Sequence, residues 1–526
     1  MALLSDLTAL RARVAASPGR LEKRRLVAEY LRGLPPEDLT HAVTYLSGRA
    51  FAASDPRVLN VRGLPAPAPG PSPCPLPDGE RVPLTLAAVA QAFGAVAEAA
   101  GPGARRLRDA RLGELVARAS AEERDLLQRV IYGEMRMGLS EGLVLEAIAE
   151  AAGVAPAAVR RAALVTGDLT TVAALALGQG AEALAAAAPR VFVPLLPMLA
   201  EIAGDVGEAL AAHGGASAIE YKYDGARIQL HGDGDRVAIW SRRMSDVTRS
   251  LPDIVAIARR DLAGAPFILD GEVVALDAAG RPLPFQELMR RFRRVRGVEA
   301  AAGALPLSLH LFDCLMAEGR SYLDEPYARR WEALERVTGG RYLAERAVIA
   351  SADDGEVFKA RALAAGHEGV MAKDLKSPYE PGGRGKRWFK LKVALTVDCV
   401  IVAADRGSGR RVGWLSNYHL AVRDGEGWAE VGKTFKGLTD AEFTDMTGRL
   451  QALATGDDGY TVRVRPEVVV EVDYNEIQKS PTYPSGFALR FARIARIRED
   501  KAPGQATTLE ELRGFYEHQF ATKGRV

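Results

Sequence analysis

Cysteine is scarce: Cys74, Cys314 and Cys399 are the only three in 526 residues, and they lie far apart. That spacing excludes a disulfide framework and a four-cysteine zinc module, and it predicts a reducing, cytoplasmic setting. An excess of one charge is lacking too. With 69 basic residues against 67 acidic ones the net charge is only +2, so any nucleic-acid site must arise from local clustering. Long apolar runs are absent. Met1-Ala-Leu-Leu-Ser-Asp6 has neither the basic stretch nor the apolar core of a signal peptide, and the alanine-rich segment 170–189 is broken by Gly178, Gln179, Gly180 and Glu182. The expectation is a chain with no export signal and no membrane span.

What is present is a soluble, globular composition, 48% hydrophobic and 26% charged. The chain is too long for one core and predicts about three domains. Residues 1 to 200 are rich in Ala, Leu, Glu and Arg, with helical spacing over Glu123 to Met137 and Leu143 to Ala151. Prolines at every second position from Pro65 to Pro77 interrupt this all-helical part as a loop or tether. From Ala218 the texture becomes mixed α/β, with strands expected at Ile219 to Tyr223, Arg227 to Leu230, Val237 to Ser241, Phe267 to Leu276, Leu307 to Phe312, Gly369 to Lys373 and Trp388 to Lys392. After Thr396, short strands with close-set turns predict a small barrel closed by a helix, Leu509 to Gln519.

Two familiar spellings fail on context. Gly427-Trp-Ala-Glu-Val-Gly-Lys433-Thr434 fits the phosphate-binding G-x-x-x-x-G-K-[ST] pattern, but a hairpin turn precedes it and no helix follows. Gly138-Leu-Ser140-Glu-Gly142 fits the hydrolase G-x-S-x-G elbow, yet it lies between two helices, where Ser140 is an N-cap.

Ala218-Ile-Glu-Tyr-Lys-Tyr-Asp-Gly-Ala-Arg-Ile-Gln-Leu-His231 is the most informative stretch. Read as a strand, it sets Glu220, Lys222 and Asp224 on one face; the bland alternative is an exposed edge strand of alternating charge. Further charged strand ends follow: Asp270-Gly271-Glu272, Glu368-Gly369 and Lys390 with Lys392. Together these offer two carboxylates able to hold Mg²⁺, a lysine nucleophile and cations for phosphate oxygens. That inventory fits nucleotidyl transfer.

Lys222-Tyr-Asp-Gly-Ala-Arg227 resembles the K-x-D-G-x-R motif of the covalent nucleotidyltransferases, the superfamily of DNA ligases, RNA ligases and mRNA capping enzymes. Ser241-Arg242, Leu269-Asp-Gly-Glu272, Leu311-Phe-Asp313, Glu368-Gly-Val-Met371, Arg384 to Lys392 and Arg490 to Lys501 resemble the later motifs in the family's order, although Ala492 stands where proline is usual. Within the superfamily the chain resembles the three-domain ATP-dependent DNA ligases of archaeal and eukaryotic type over nearly its whole length. Pro194 to Ala200, Ile477 to Pro481 and Tyr132 to Leu139 carry that closer likeness.

The resemblance implies an all-α DNA-binding domain at 1–200, an α/β adenylation domain at 201–394 and an OB-fold β-barrel with a C-terminal helix at 395–526. It implies that Lys222 takes AMP from ATP, that the AMP passes to a 5′-phosphate at a nick, and that the 3′-hydroxyl displaces it. Glu220 would recognise adenine, Phe312 stack on it, and Arg227 and Arg242 hold the nucleotide. Glu272 would lie near ribose and metal, Glu368 near the metal, and Arg384, Lys390 and Lys392 near the phosphates. The implied cofactors are ATP and Mg²⁺, with Mn²⁺ as a substitute. The implied partner is nicked duplex DNA met by a monomer, nucleoid-associated in a prokaryote, with recruitment by a sliding clamp or repair polymerase left open. A lysine with a pKa near 10.4 is neutral about once in a thousand at pH 7.4, a handicap of roughly 4 kcal/mol that neighbouring cations reduce. Arg290-Arg-Phe-Arg-Arg-Val-Arg296 suggests phosphate-backbone contact, or else a solvated helix face.

Three rivals are weaker. The helical third and the Arg490 to Lys501 stretch argue against an RNA ligase or capping enzyme. The missing cysteines disfavour an NAD-dependent ligase. A binding protein with a dead core is disfavoured because every chemical position is filled.

Overall fold

The computed structural model describes all residues except 56, 62, 66–81, 102, 263, 293–302, 304, 393–394 and 526. Pro67 to Pro77, Cys74 and three members of the arginine cluster, Arg293, Arg294 and Arg296, therefore lie outside the described residues.

Ten helices among the described residues run from Leu4–Ala16 to Gly180–Ala185 and share one core, with Leu7, Val27, Val43, Phe93, Leu126, Ile148 and Val172 fully buried. Each such side chain contributes roughly 1.5–3 kcal/mol on burial, which compensates for the weak amphipathicity of the alanine-rich helices. The helix expected to reach Met137 spans only Ala121–Tyr132. Ser120 and Glu123 form a reciprocal capping box at its start. Gly133, at φ +72°, ends it by donating its own N–H and that of Glu134 back into the last turn.

A linker then clasps the next region. The Phe192 N–H donates to His231 Nδ1 at 2.9 Å, and Leu195 exchanges backbone bonds with the Gln229 carboxamide at 2.8 and 3.2 Å. Burial pushes the His231 imidazole down to about 3, so it accepts as a neutral ring.

The middle region holds two five-stranded sheets. One orders Leu199–Ile202, Arg384–Lys392, Gly369–Lys373, Ser217–Tyr221 and Arg346–Ile349, and only its first pair is parallel. The other orders Arg236–Ser241, Ala226–Asp233, Phe267–Ala275, Leu307–Ala317 and Arg320–Ser321, antiparallel throughout. The chain crosses from the first sheet to the second at Lys222 to Gly225.

The third region is sheet-rich. Leu395–Arg406 pairs along one part with Leu415–Asp424 and Thr461–Val464 and along another with Val469–Tyr474, at the centre of a seven-stranded antiparallel sheet. A hairpin of Glu476–Lys479 and Phe487–Arg490 lies beside it, and the helix Leu509–His518 follows. Gly427–Thr434 is a strand along its whole length, and Lys433 turns to Asp405 at 3.3 Å. Ser140 caps the helix Glu141–Ala152, accepting from the Leu143 N–H at 3.3 Å. No helix among the described residues is long and apolar enough to cross a membrane.

Candidate functional site

The strand expected over Ile219 to Tyr223 is Ser217–Tyr221, so Lys222 and Asp224 stand beyond it and do not share one wall with Glu220. The reason is tertiary: the next residues must reach the second sheet. The Lys222 N–H donates to Gly369 O at 2.9 Å, and the Glu368 N–H returns a bond to Lys222 O at 3.0 Å, pinning the crossing loop to the first sheet. At the far end of the loop a Cβ on Gly225 would lie 2.3 Å from Val273 O. Only glycine lets the chain pass that strand. Gly369, at φ +136° and with a Cβ position 2.2 Å from Leu391 O, is equally restricted.

The Lys222 ammonium pairs with the Glu368 carboxylate. Lys390 stands on the neighbouring strand, where burial and the charges of Lys222, Arg384, Lys392 and Arg242 push its ammonium below the usual lysine range. Five cations from three segments thus bear on one another around Lys390. Arg242, in the turn after Arg236–Ser241, and Arg384, at the start of Arg384–Lys392, are exposed.

Two carboxylates face the same spot. Burial pushes the Glu272 carboxyl up to about 8, with Lys222 and Arg227 pulling it down and Glu368 and Asp270 pushing it further up. Among the described residues no cluster of three metal-type ligands forms, so any cation would take Glu272 and Glu368 with other oxygens.

Glu220 and Phe312 sit deeper. Glu220 is buried against Lys373, at 2.7 Å, and the Tyr327 hydroxyl. Lys373 Nζ donates to Phe312 O at 3.0 Å and lies 4.4 Å from the centre of the Phe312 ring. Phe312 meets Trp388 edge-on at 6.3 Å and is only half-buried, leaving part of the ring open. Arg227 forks onto Asp270 at 2.6 and 3.1 Å and donates to Met198 O and the Tyr379 hydroxyl. Its guanidinium is therefore heavily engaged by the protein, 5.5 Å from the Phe312 ring.

The third region closes over the crossing loop. Asp224 is held by Arg490 at 2.9 Å and Lys523 at 2.5 Å. Burial alone would raise this carboxyl, but the two cations hold it well below the usual range. Lys392 Nζ donates to Asn475 Oδ1 at 2.6 Å, and Asn475 Nδ2 donates to Glu368 Oε1 at 3.2 Å. Asp270, Tyr327, Lys373, Tyr379, Asn475 and Lys523 were missed as site residues. Asp270 and Lys373 carried a signal, the one in a charged strand end and the other as a lysine closing an apolar strand.

The arginine cluster is corrected in part. Arg291 is buried on Asp253 and the Leu305 carbonyl, and Arg290 pairs with Glu287 at 2.6 Å. Arg291 therefore has no guanidinium to offer a phosphate backbone. A cleft of the helical region, about 460 Å³ between the turns at 47–53, 133–141 and 167–170, contains none of the residues just described.

Comparison with known proteins adds an independent line. Family models described as ATP dependent DNA ligase domain, ATP dependent DNA ligase C terminal region and DNA ligase N terminus match residues 197–392, 411–501 and 74–149. A probable DNA ligase of Anaeromyxobacter dehalogenans (strain 2CP-1) is 46% identical, covering 98% of this chain and 99% of its own. A protein named DNA ligase 1 from Korarchaeum cryptofilum is 43% identical over the same shares. The solved structure named Pmar-Lig_PreS3 is 18% identical, with a TM-score of 0.55 over 94% of this chain and 99% of that one, a likeness of fold.

Proposed function

The chain belongs to the ATP-dependent DNA ligase family, an enzyme with a helical N-terminal region and a sheet-rich C-terminal region that spends ATP to seal nicks in duplex DNA, and from that premise we propose how its residues divide the work. Lys222 is the nucleophile. The observation that carries this is the Glu368 carboxylate on its amine at the crossing between the two sheets, with Lys390 and Lys392 near enough for their charges to act on that amine.

Attack forms a bond from Lys222 Nζ to the ATP α-phosphorus and breaks the bond to the β-phosphate oxygen, so diphosphate leaves. Glu368, already in contact with Nζ, is placed to take the proton. Lys390, Lys392, Arg242 and Arg384 stabilise the negative charge that builds on the phosphates. AMP then moves to the 5′-phosphate at the nick, and the 3′-hydroxyl displaces it. Glu220 reads the adenine amine with its remaining lone pairs, Lys373 and Tyr327 fixing its orientation. The open part of Phe312 stacks on the base. Arg227, braced by Asp270, lines the nucleotide side of the pocket.

Glu272 and Glu368 are the carboxylates that would hold a divalent cation: the Glu272 carboxyl, raised by burial and further by the charge of Glu368, lacks a neutralising partner that a cation would supply. Mg²⁺, or Mn²⁺ in its place, would supply charge that offsets the phosphate oxygens and competes with protons for those carboxylates.

We further assign the C-terminal sheet to an OB-fold, supported by its antiparallel strands and the central two-way pairing of Leu395–Arg406. The expected limits 1–200, 201–394 and 395–526 shift at the first boundary, because the strand Leu199–Ile202 pairs into the middle region's sheet, and the helical domain grips duplex DNA. The working unit is a cytoplasmic monomer. The decisive experiment incubates the protein with α-labelled ATP and Mg²⁺, then adds nicked DNA. Label should appear on the protein and chase into DNA as the nick closes. Lys222→Ala should lose the label completely while unfolding at the same temperature; undiminished labelling of that variant would sink the assignment.

A further inference from the structure

The C-terminal region contributes an uncharged side chain to the reactive centre. Asn475 lies between the strand Val469–Tyr474 and the hairpin strand Glu476–Lys479, with its N–H bonded to Arg490 O at 3.0 Å and both neighbours, Tyr474 and Glu476, buried. From that fixed backbone its carboxamide bridges Lys392 Nζ, at 2.6 Å, and Glu368 Oε1, at 3.2 Å. Glu368 in turn pairs with Lys222. An ammonium only donates hydrogen bonds and a carboxylate only accepts them, so a carboxamide is the side chain that satisfies both at once without adding charge.

We propose that Asn475 is a positioning residue for the first step: it keeps Lys392 and Glu368 apart, so that the ammonium meets ATP phosphate and the carboxylate stays on Lys222. Without the spacer the two opposite charges are drawn together in a partly dry site, where attraction exceeds its value in water. Each would then consume the partner that the other group needs. The arrangement is the one in which Lys222 is unmodified, the state that awaits ATP. In the last step Lys222 does not react, so the alignment is not needed there. Adenylation thereby requires a side chain that only the C-terminal region delivers.

The inference rests on Lys222 as nucleophile. The test compares full-length wild type with Asn475→Ala, Asn475→Asp and Asn475→Gln in two assays. The first is single-turnover formation of protein–AMP at saturating ATP. The second is closure of a nick carrying a preformed 5′-adenylate, without ATP. Asn475→Ala should slow adenylation about tenfold or more, the scale of an angstrom-level misplacement, and leave closure of the adenylated nick within about twofold. Asn475→Asp, which repels Glu368, should be at least as slow as Ala, and Asn475→Gln should recover part of the loss. Wild-type adenylation in Asn475→Ala, equal losses in both assays, or no recovery with Gln would each overturn the proposal. If wild type itself forms no adduct at Lys222, the nucleophile assignment fails instead.

Discussion

Glu272 carries a conflict between burial and charge. Its carboxyl, raised by burial from about 4.5 to about 8, holds a proton at neutral pH that the unfolded chain has released. Well below pH 4.5 both states are protonated and the group is neutral to stability. As the pH climbs toward 8 only the unfolded chain ionises, so stability is lost across that window. Glu272→Gln, which has no proton to lose, should gain on wild type by about 1 kcal/mol or more between pH 5 and pH 8 without metal, while adenylation falls sharply. Thermal unfolding at the two pH values reads the first effect, and a gap of equal size at both would refute the linkage. Most of the cationic and acidic residues at this site were legible in the sequence, because charged strand ends beside apolar runs stand out. Tyr327 and Asn475 were not, since a residue that orients another acts across elements and no local spacing records it.

At the scale of elements, the two discarded spellings give opposite tests. Ser140 caps Glu141–Ala152, so Ser140→Ala should cost about 1 kcal/mol of stability and leave self-adenylation unchanged. Loss of adenylation at unchanged stability would restore the chemical reading of that serine. Lys433 stands on a strand and pairs with Asp405, a carboxylate that also accepts from Asn417, His419 and Thr461. Removing one exposed cation from so well-satisfied an acid should cost less than about 1 kcal/mol, and Lys433→Ala should still take label from ATP. Complete loss of labelling would mean that the strand binds phosphate after all. Elements with a strong local signal, such as Gly369–Lys373, were read to the residue. Those ended by long-range needs were not: Ser217–Tyr221 stops early because the chain must cross to the second sheet, and Ala121–Tyr132 stops at a left-handed glycine inside a helical spacing.

For the whole molecule, every nucleotide-site residue lies after residue 197, and the clasp at Phe192 and Leu195 is retained in a chain that begins at Arg190. Such a truncated chain should still adenylate itself. Its nick sealing should fall, and fall further at physiological salt than at low salt, because removing the helical region discards phosphate contacts and their counterion release. Measuring both steps across a salt series decides it; equal sealing by both chains at every salt concentration would remove the DNA-binding role from residues 1–190. The sequence by itself determined the order of the three regions, the reactive lysine as candidate and the acids and cations that accompany it, because each rests on residue type and local spacing. Only the tertiary structure decided that Lys222 stands between two sheets, that Asp224 answers to Arg490 and Lys523, and that Asn475 reaches Glu368 and Lys392. Those pairings join residues roughly 80 to 300 positions apart, and their partners are chosen by packing and low-dielectric charge balance, which exist only once the chain has folded.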